Sequence, residues 1–234
     1  MDTNLTQTIR DNLARLEERI QSACLKAGRP RESVRLLAVS KFNPAAAVQA
    51  AWDAGQRLFG ENRVQEAAEK FPLACGASEL HLLGHLQSNK AKKAVQLFNC
   101  VQSVDSLSIM QELARQAEKI GKTLDILLEL HTGEESKSGF ADEAELFQAC
   151  ETALDLSSLR VRGLMTMAPF TDDAAAITKS FVACRSTMEK AAGRFDIPDF
   201  SVLSMGMTND FELAIAEGAT LLRIGTAIFG TRQP

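Results

Sequence analysis

Apolar positions near the start of the chain recur every three or four residues: Leu5, Ile9, Leu13, Leu16, Ile20 and Cys24. That spacing lines one face of a helix, and Gly28-Arg29-Pro30 stops it, so a long amphipathic helix opens the chain. Beyond it the period changes. Short β-type runs at 34–40, 57–60, 80–84, 100–104, 124–130, 161–165, 200–204 and 221–225 alternate with helical-period segments. Those segments fall at 45–52, 64–70, 89–97, 107–120, 143–154, 174–192 and 211–216. Two of them open on capping patterns, Asp142-x-x-Glu145 and Asn209-x-x-Glu212, in which a side-chain oxygen covers the first free amides.

Strand-helix alternation with short connections predicts parallel strands joined by right-handed crossovers. Eight such units fit a closed α/β barrel of the (β/α)8 type with an additional N-terminal helix; an open doubly wound sheet is the alternative. No linker or repeat interrupts the run, so residues 1–234 are expected to form a single domain. The barrel gives position a meaning: chemistry sits where loops converge at the C-terminal ends of the strands.

Composition narrows the function classes. Twenty-six basic against 30 acidic residues, in no long block of one sign, suggest neither a nucleic acid nor a membrane partner. The start Met1-Asp2-Thr3-Asn4-Leu5 lacks the basic and apolar regions of a signal peptide. Five widely spaced cysteines, Cys24, Cys75, Cys100, Cys150 and Cys184, without a Cys-x-x-Cys pair, read as reduced thiols, mostly buried or half-buried. A cytoplasmic protein is expected. The chain contains no tyrosine, which excludes any mechanism needing a phenolic acid or base.

The polar residues at the strand ends are the candidates. The run Leu36-Leu37-Ala38-Val39-Ser40 ends in Lys41, whose amine, if partly desolvated, is a nucleophile toward an aldehyde or ketone; otherwise it is a solvated strand end. The seventh run ends in Leu203-Ser204-Met205-Gly206-Met207-Thr208, and Arg223-Ile224-Gly225-Thr226 closes the eighth ahead of a short helical tail. In barrels these two loops often hold a phosphate; the same residues also make ordinary turns. Arg223 shares a face with Gly225 and either points inward beside a ligand or closes the barrel by pairing with a carboxylate. Asn62 either donates to a ligand or caps the next helix. His81 and His85 have a spacing that suits zinc only on a helix, which argues against a metal here. The loop containing Lys137 is a surface loop that could close over a ligand.

Taken together, Ala38-Val39-Ser40-Lys41, Phe59-Gly60-Glu61-Asn62-Arg63-Val64-Gln65-Glu66, Gly84-His85-Leu86-Gln87-Ser88-Asn89-Lys90, Ser136-Lys137-Ser138-Gly139, Arg162-Gly163-Leu164-Met165 and Arg223-Ile224-Gly225-Thr226-Ala227-Ile228-Phe229-Gly230 resemble the YggS-type pyridoxal phosphate homeostasis proteins. The resemblance runs from about residue 34 to the C-terminus. It implies a barrel similar to the N-terminal domain of alanine racemase that binds pyridoxal 5'-phosphate (PLP). It also implies Lys41 as the Schiff-base lysine, Ser204, Gly225 and Thr226 as the phosphate cradle, Arg223 as partner of the pyridine nitrogen, and Asn62 as a ligand-side amide. His131-Thr132-Gly133 and Asn209 depart from the family pattern without touching those positions. The implied role is buffering and delivery of PLP, with PLP-dependent apo-enzymes as recipients and a monomer as the working unit. A slow amino-acid racemase, in which His85 or a cysteine replaces the missing tyrosine, and a lysine-dependent aldolase are the competing readings. An arginine at the ring nitrogen weakens the electron sink that PLP enzymes use, which favours the carrier.

Overall fold

A computed structural model describes residues 3–73, 78–133 and 138–230. The first half of the chain runs α1 (Thr3–Lys26), β1 (Arg35–Val39), α2 (Ala45–Asp53), β2 (Leu58–Glu61), α3 (Val64–Lys70), β3 (Glu79–Leu82), α4 (Ala91–Leu97) and β4 (Cys100–Val104). It continues through α5 (Leu107–Lys119), β5 (Leu124–Glu129), α6 (Glu143–Leu154), β6 (Leu159–Met165), α7 (Ala174–Arg194), β7 (Val202–Ser204), α8 (Phe211–Ala216), β8 (Leu221–Ile224) and α9 (Thr226–Phe229). The strands pair in parallel in chain order, and β8 closes on β1 with Leu37 opposite Arg223. The expected (β/α)8 barrel is thus the observed fold.

Its N-terminal helix has a structural task. The helix after β8 is a single turn, too short to cover the seam between β8 and β1, and α1 packs on α2, α8 and α9 in its place. Ile9, Leu16, Ile20 and Cys24 on its periodic face are buried, and the Asn12 amide donates to the Ile228 carbonyl at 2.8 Å. Among the described residues no helix is long and apolar enough to cross a membrane.

Alternation along the strands sorts side chains into two cores. Outward residues such as Phe59, Val101 and Leu164 join the helices in one large cluster. Inward residues form two smaller clusters: Leu37, Val39, Leu58, Leu83 and Leu221 on one side, Cys100, Leu127 and Met165 on the other, with Val202 against both. Parity therefore leads each strand's inward row up to the mouth of the barrel.

Local departures from the pattern have local causes. The Asp142 carboxylate accepts from the Glu145 amide at 2.9 Å as expected, but Asn209 does not cap α8. Asp210 occupies the cap position, and its carboxylate turns back to the Met207 amide at 2.5 Å. The seventh strand starts two residues late because Asp199 adopts a left-handed conformation and Phe200 packs against the helical core.

Candidate functional site

Arg223 ends the inward row of β8 at 5% exposure. One guanidinium nitrogen donates to the Ser204 hydroxyl at 2.7 Å, another to the Thr166 carbonyl at 2.7 Å. Among the described residues no carboxylate lies within ion-pair distance of it, and its side-chain partners there are a hydroxyl and a carbonyl. Burial pulls the guanidinium down to about 10, with Glu129 and Asp210 acting in the opposite direction, and it stays charged at neutral pH. A buried cation held only by neutral acceptors keeps N–H donors available to an incoming group. Ser204 is also fully buried, and its hydroxyl, accepting from Arg223, donates to the Gln102 carboxamide at 2.6 Å.

Lys41 lies in the turn after the neighbouring strand β1, two residues beyond Val39, and is half-buried. The peptides on either side of it are tied down from outside the barrel wall. The Lys70 ammonium, on α3, donates to the Ser40 carbonyl at 2.8 Å, to Glu61 at 2.6 Å and to Glu66 at 2.9 Å. The Ser40 hydroxyl adds a 2.6 Å bond to Glu61, and Glu66 accepts from the Phe42 amide at 2.6 Å. Phe42 needs that anchor, since its φ of 64° is one a bulky residue rarely adopts and costs on the order of 1 kcal/mol. Glu61 is fully buried; burial raises its pKa while Lys70 and Ser40 pull it back.

The loops after β7 and β8 supply backbone. Gly206 has a φ of +94°, and a Cβ there would stand 2.6 Å from the Ala214 Cβ. Gly225 rests on Val39, where a Cβ would come to 3.1 Å from the Val39 carbonyl oxygen, so this loop lies close on the strand leading to Lys41. Thr226 is exposed and opens the single turn of α9, whose first amides have no intrahelical partner. Asn62 is half-buried, two residues beyond inward Gly60; Arg63 takes the cap position of α3, so Asn62 is not a helix cap and its carboxamide makes no hydrogen bond among the described residues.

Several inward residues acquire their meaning only in the structure. Glu129 ends β5 at 2% exposure, and burial raises its pKa to about 7, against the hydrogen bond from Ser138 and the positive charges of Arg223 and His85. Its signal in the sequence was a carboxylate sharing parity with inward Leu127. Gln102 and His81 face the interior and are treated below. His81 and His85 part company: His85 pairs with Asp105 at 2.7 Å on the rim. The described cysteines are buried free thiols; Cys150 and Cys184 are pushed up to about 12 by burial, and Cys100 sits at the start of β4, at the opposite end of the barrel. None of them replaces a tyrosine at the mouth. Cys75 and Lys137 lie outside the described residues.

The architecture agrees with what the chain is similar to. The family model described as alanine racemase, N-terminal domain, matches residues 9–233. A pyridoxal phosphate homeostasis protein of Pseudomonas aeruginosa is 43% identical over 228 residues, covering 97% of this chain and 96% of its own. The Escherichia coli K12 protein of that name is 38% identical over 231 residues, covering 96% and 97%. Among solved structures, PipY of Synechococcus elongatus PCC7942 with PLP bound has a TM-score of 0.83 at 39% identity, over 95% of this chain and 100% of that one. An alanine racemase of Streptomyces lavendulae has a TM-score of 0.75 at 20% identity over 98% of this chain and 58% of the racemase, a likeness of fold alone.

Proposed function

Because the chain belongs to the pyridoxal phosphate homeostasis proteins, on the alanine racemase N-terminal domain fold, we propose that it binds PLP at the mouth of its barrel and buffers and delivers that cofactor. The observation that carries this reading is Arg223, a buried guanidinium with no ion-pair partner among the described residues, beside the Gly225-Thr226 turn and one strand from Lys41. When bound, PLP supplies an aldehyde for covalent capture and a ring that accepts negative charge.

The chain's own residues divide the holding of that group. Lys41 supplies the amine for a Schiff base. Arg223, charged and unable to accept a hydrogen bond, would donate to the ring nitrogen and hold it unprotonated. Gly206 and Gly225 let backbone amides approach the phosphate, joined by Thr226, while Ser204 lines the site from behind Arg223. Asn62 is the amide on the ligand side. The fit is good for a planar dianion: among the described residues the site offers donors and the buried Arg223 cation, with no carboxylate bonded to that cation.

Two features support carriage over turnover. An arginine at the ring nitrogen withholds the proton that strengthens the electron sink, and the chain has no tyrosine to act as the second base of a racemase. The working unit is a cytoplasmic monomer that passes PLP to apo-enzymes. The test is an absorbance spectrum of the purified protein with and without added PLP. A visible band is expected for the native chain and its loss for Lys41→Ala; a chain that stays colourless with PLP would sink the proposal.

A further inference from the structure

A line of hydrogen bonds crosses the barrel interior below Arg223. The guanidinium donates to the Ser204 hydroxyl, which bonds to Gln102 at 2.6 Å; the Gln102 amide meets His81 Nδ1 at 2.7 Å, and His81 Nε2 meets Glu79 Oε1 at 2.9 Å. Glu79 stands at the far end of β3, where Arg35 donates to its other oxygen at 2.6 Å. The line therefore runs from the mouth to the base through β8, β7, β4 and β3, between the two apolar clusters of the interior. Gln102 and Ser204 are fully buried and His81 is nearly so.

Its two ends dictate everything between them. A guanidinium can only donate and an ionised carboxylate can only accept. The His81 bond, followed by burial in the opposite sense and by Arg35, holds the Glu79 carboxyl down to about 2, so it is ionised at neutral pH. Ser204, accepting from Arg223, must give its own proton to Gln102, so Gln102 presents its oxygen there and its NH2 to His81. His81 must then accept at Nδ1 and carry its proton on Nε2, toward Glu79. Each group has one orientation, and reversing any one of them sets two donors or two acceptors face to face in a buried site.

We propose that Gln102 and His81 are positioning residues for Arg223: the directed line they carry from the base of the barrel keeps the Ser204 hydroxyl turned as an acceptor and holds the guanidinium in place at the mouth. The proposal rests on the reading that Arg223 faces the ring nitrogen of bound PLP. Without Gln102 the Ser204 proton loses its acceptor, the hydroxyl rotates, and Arg223 keeps only the Thr166 carbonyl.

Two measurements test it, one of them free of cofactor. In the protein without PLP, nitrogen-15 NMR of the imidazoles reads the tautomer directly, and only three histidines need assignment. The Nε2–H form with an accepting Nδ1 is expected for His81 at neutral pH; an Nδ1–H or doubly protonated ring overturns the proposal. With PLP, Gln102→Leu and His81→Phe should still take up cofactor on Lys41, seen as adduct mass after borohydride reduction. Their PLP affinity should fall about tenfold, the scale of one hydrogen bond to a charged group. The pH midpoint of the visible band should move as well.

In an Arg223→Met background, Gln102→Leu should move that midpoint no further, because its effect passes through Arg223; additive shifts would show a merely structural role. Gln102→Glu still accepts from Ser204 but sets an acceptor against His81 Nδ1, so it should move His81 off the Nε2–H form; an imidazole signal unchanged by this substitution counts against the proposal. Should the native chain take up no PLP, the cofactor reading fails by itself. The tautomer, and the response of the Arg223 guanidinium signals to Gln102→Leu, then decide the positioning role: moved signals uphold it and unmoved signals overturn it.

Discussion

Two cations approach the same mouth and are held in opposite ways. Lys41 is fixed from outside the barrel wall by formal charges: Lys70 at 7% exposure bridges Glu61 and Glu66, and those three groups hold the peptides before and after it. Arg223 is fixed from inside by neutral partners, the Ser204 hydroxyl and the Thr166 carbonyl. The difference suits the two tasks. A lysine that must take up and release a ligand can keep a movable side chain if its backbone is rigid. An arginine that must stay charged and offer donors cannot have a carboxylate occupying them.

The comparison can be broken at its strongest point first. Lys70→Met leaves Glu61 buried without a counter-charge, and about 3–5 kcal/mol of stability should go, read as the urea midpoint of unfolding. A midpoint close to that of the native chain would mean the outer network is not what anchors the Lys41 loop. Next in size is the pH dependence set by Glu129. Its carboxyl holds its proton up to about pH 7 in the folded state, against an ordinary value of 4.5. The stabilisation is complete below the unfolded value and is lost as pH rises through the folded one. Between pH 4.5 and 7 the native chain should therefore lose up to about 3 kcal/mol from this group, and Glu129→Gln should show a flatter profile. An unchanged profile would make Glu129 an ionised counter-ion of Arg223 and erase the contrast. The smallest effect is expected for Glu66→Ala, about 1 kcal/mol of stability with a several-fold faster release of PLP, as the Phe42 amide loses its acceptor. Release at the native rate would confine the loop's anchorage to Lys70 and Glu61.

Much of the fold was legible because it depends on local period. The β4, α3, α6 and α8 spans coincide with the pattern, since apolar spacing and turn residues act within a few positions. The candidate site was legible where a polar residue interrupts an apolar run, as at Lys41 and Arg223. Glu61, Lys70, Gln102 and His81 were not, because their meaning lies in partners from 9 to 102 residues away. Ser204 shows the limit: as a hydroxyl at a strand end it reads as a phosphate donor, whereas in the barrel that hydroxyl is engaged by Arg223 on the adjacent strand and Gln102 on β4.

What the sequence by itself determined is the order of elements, the closure they imply, the absence of tyrosine and the placing of a lysine and an arginine at strand ends. These follow from spacing and chemistry along the chain. Only the tertiary structure decided which charges are compensated and by what. Burial and hydrogen-bond direction arise when β3, β4, β7 and β8 come together around one interior, where the dielectric is low and each donor must find an acceptor.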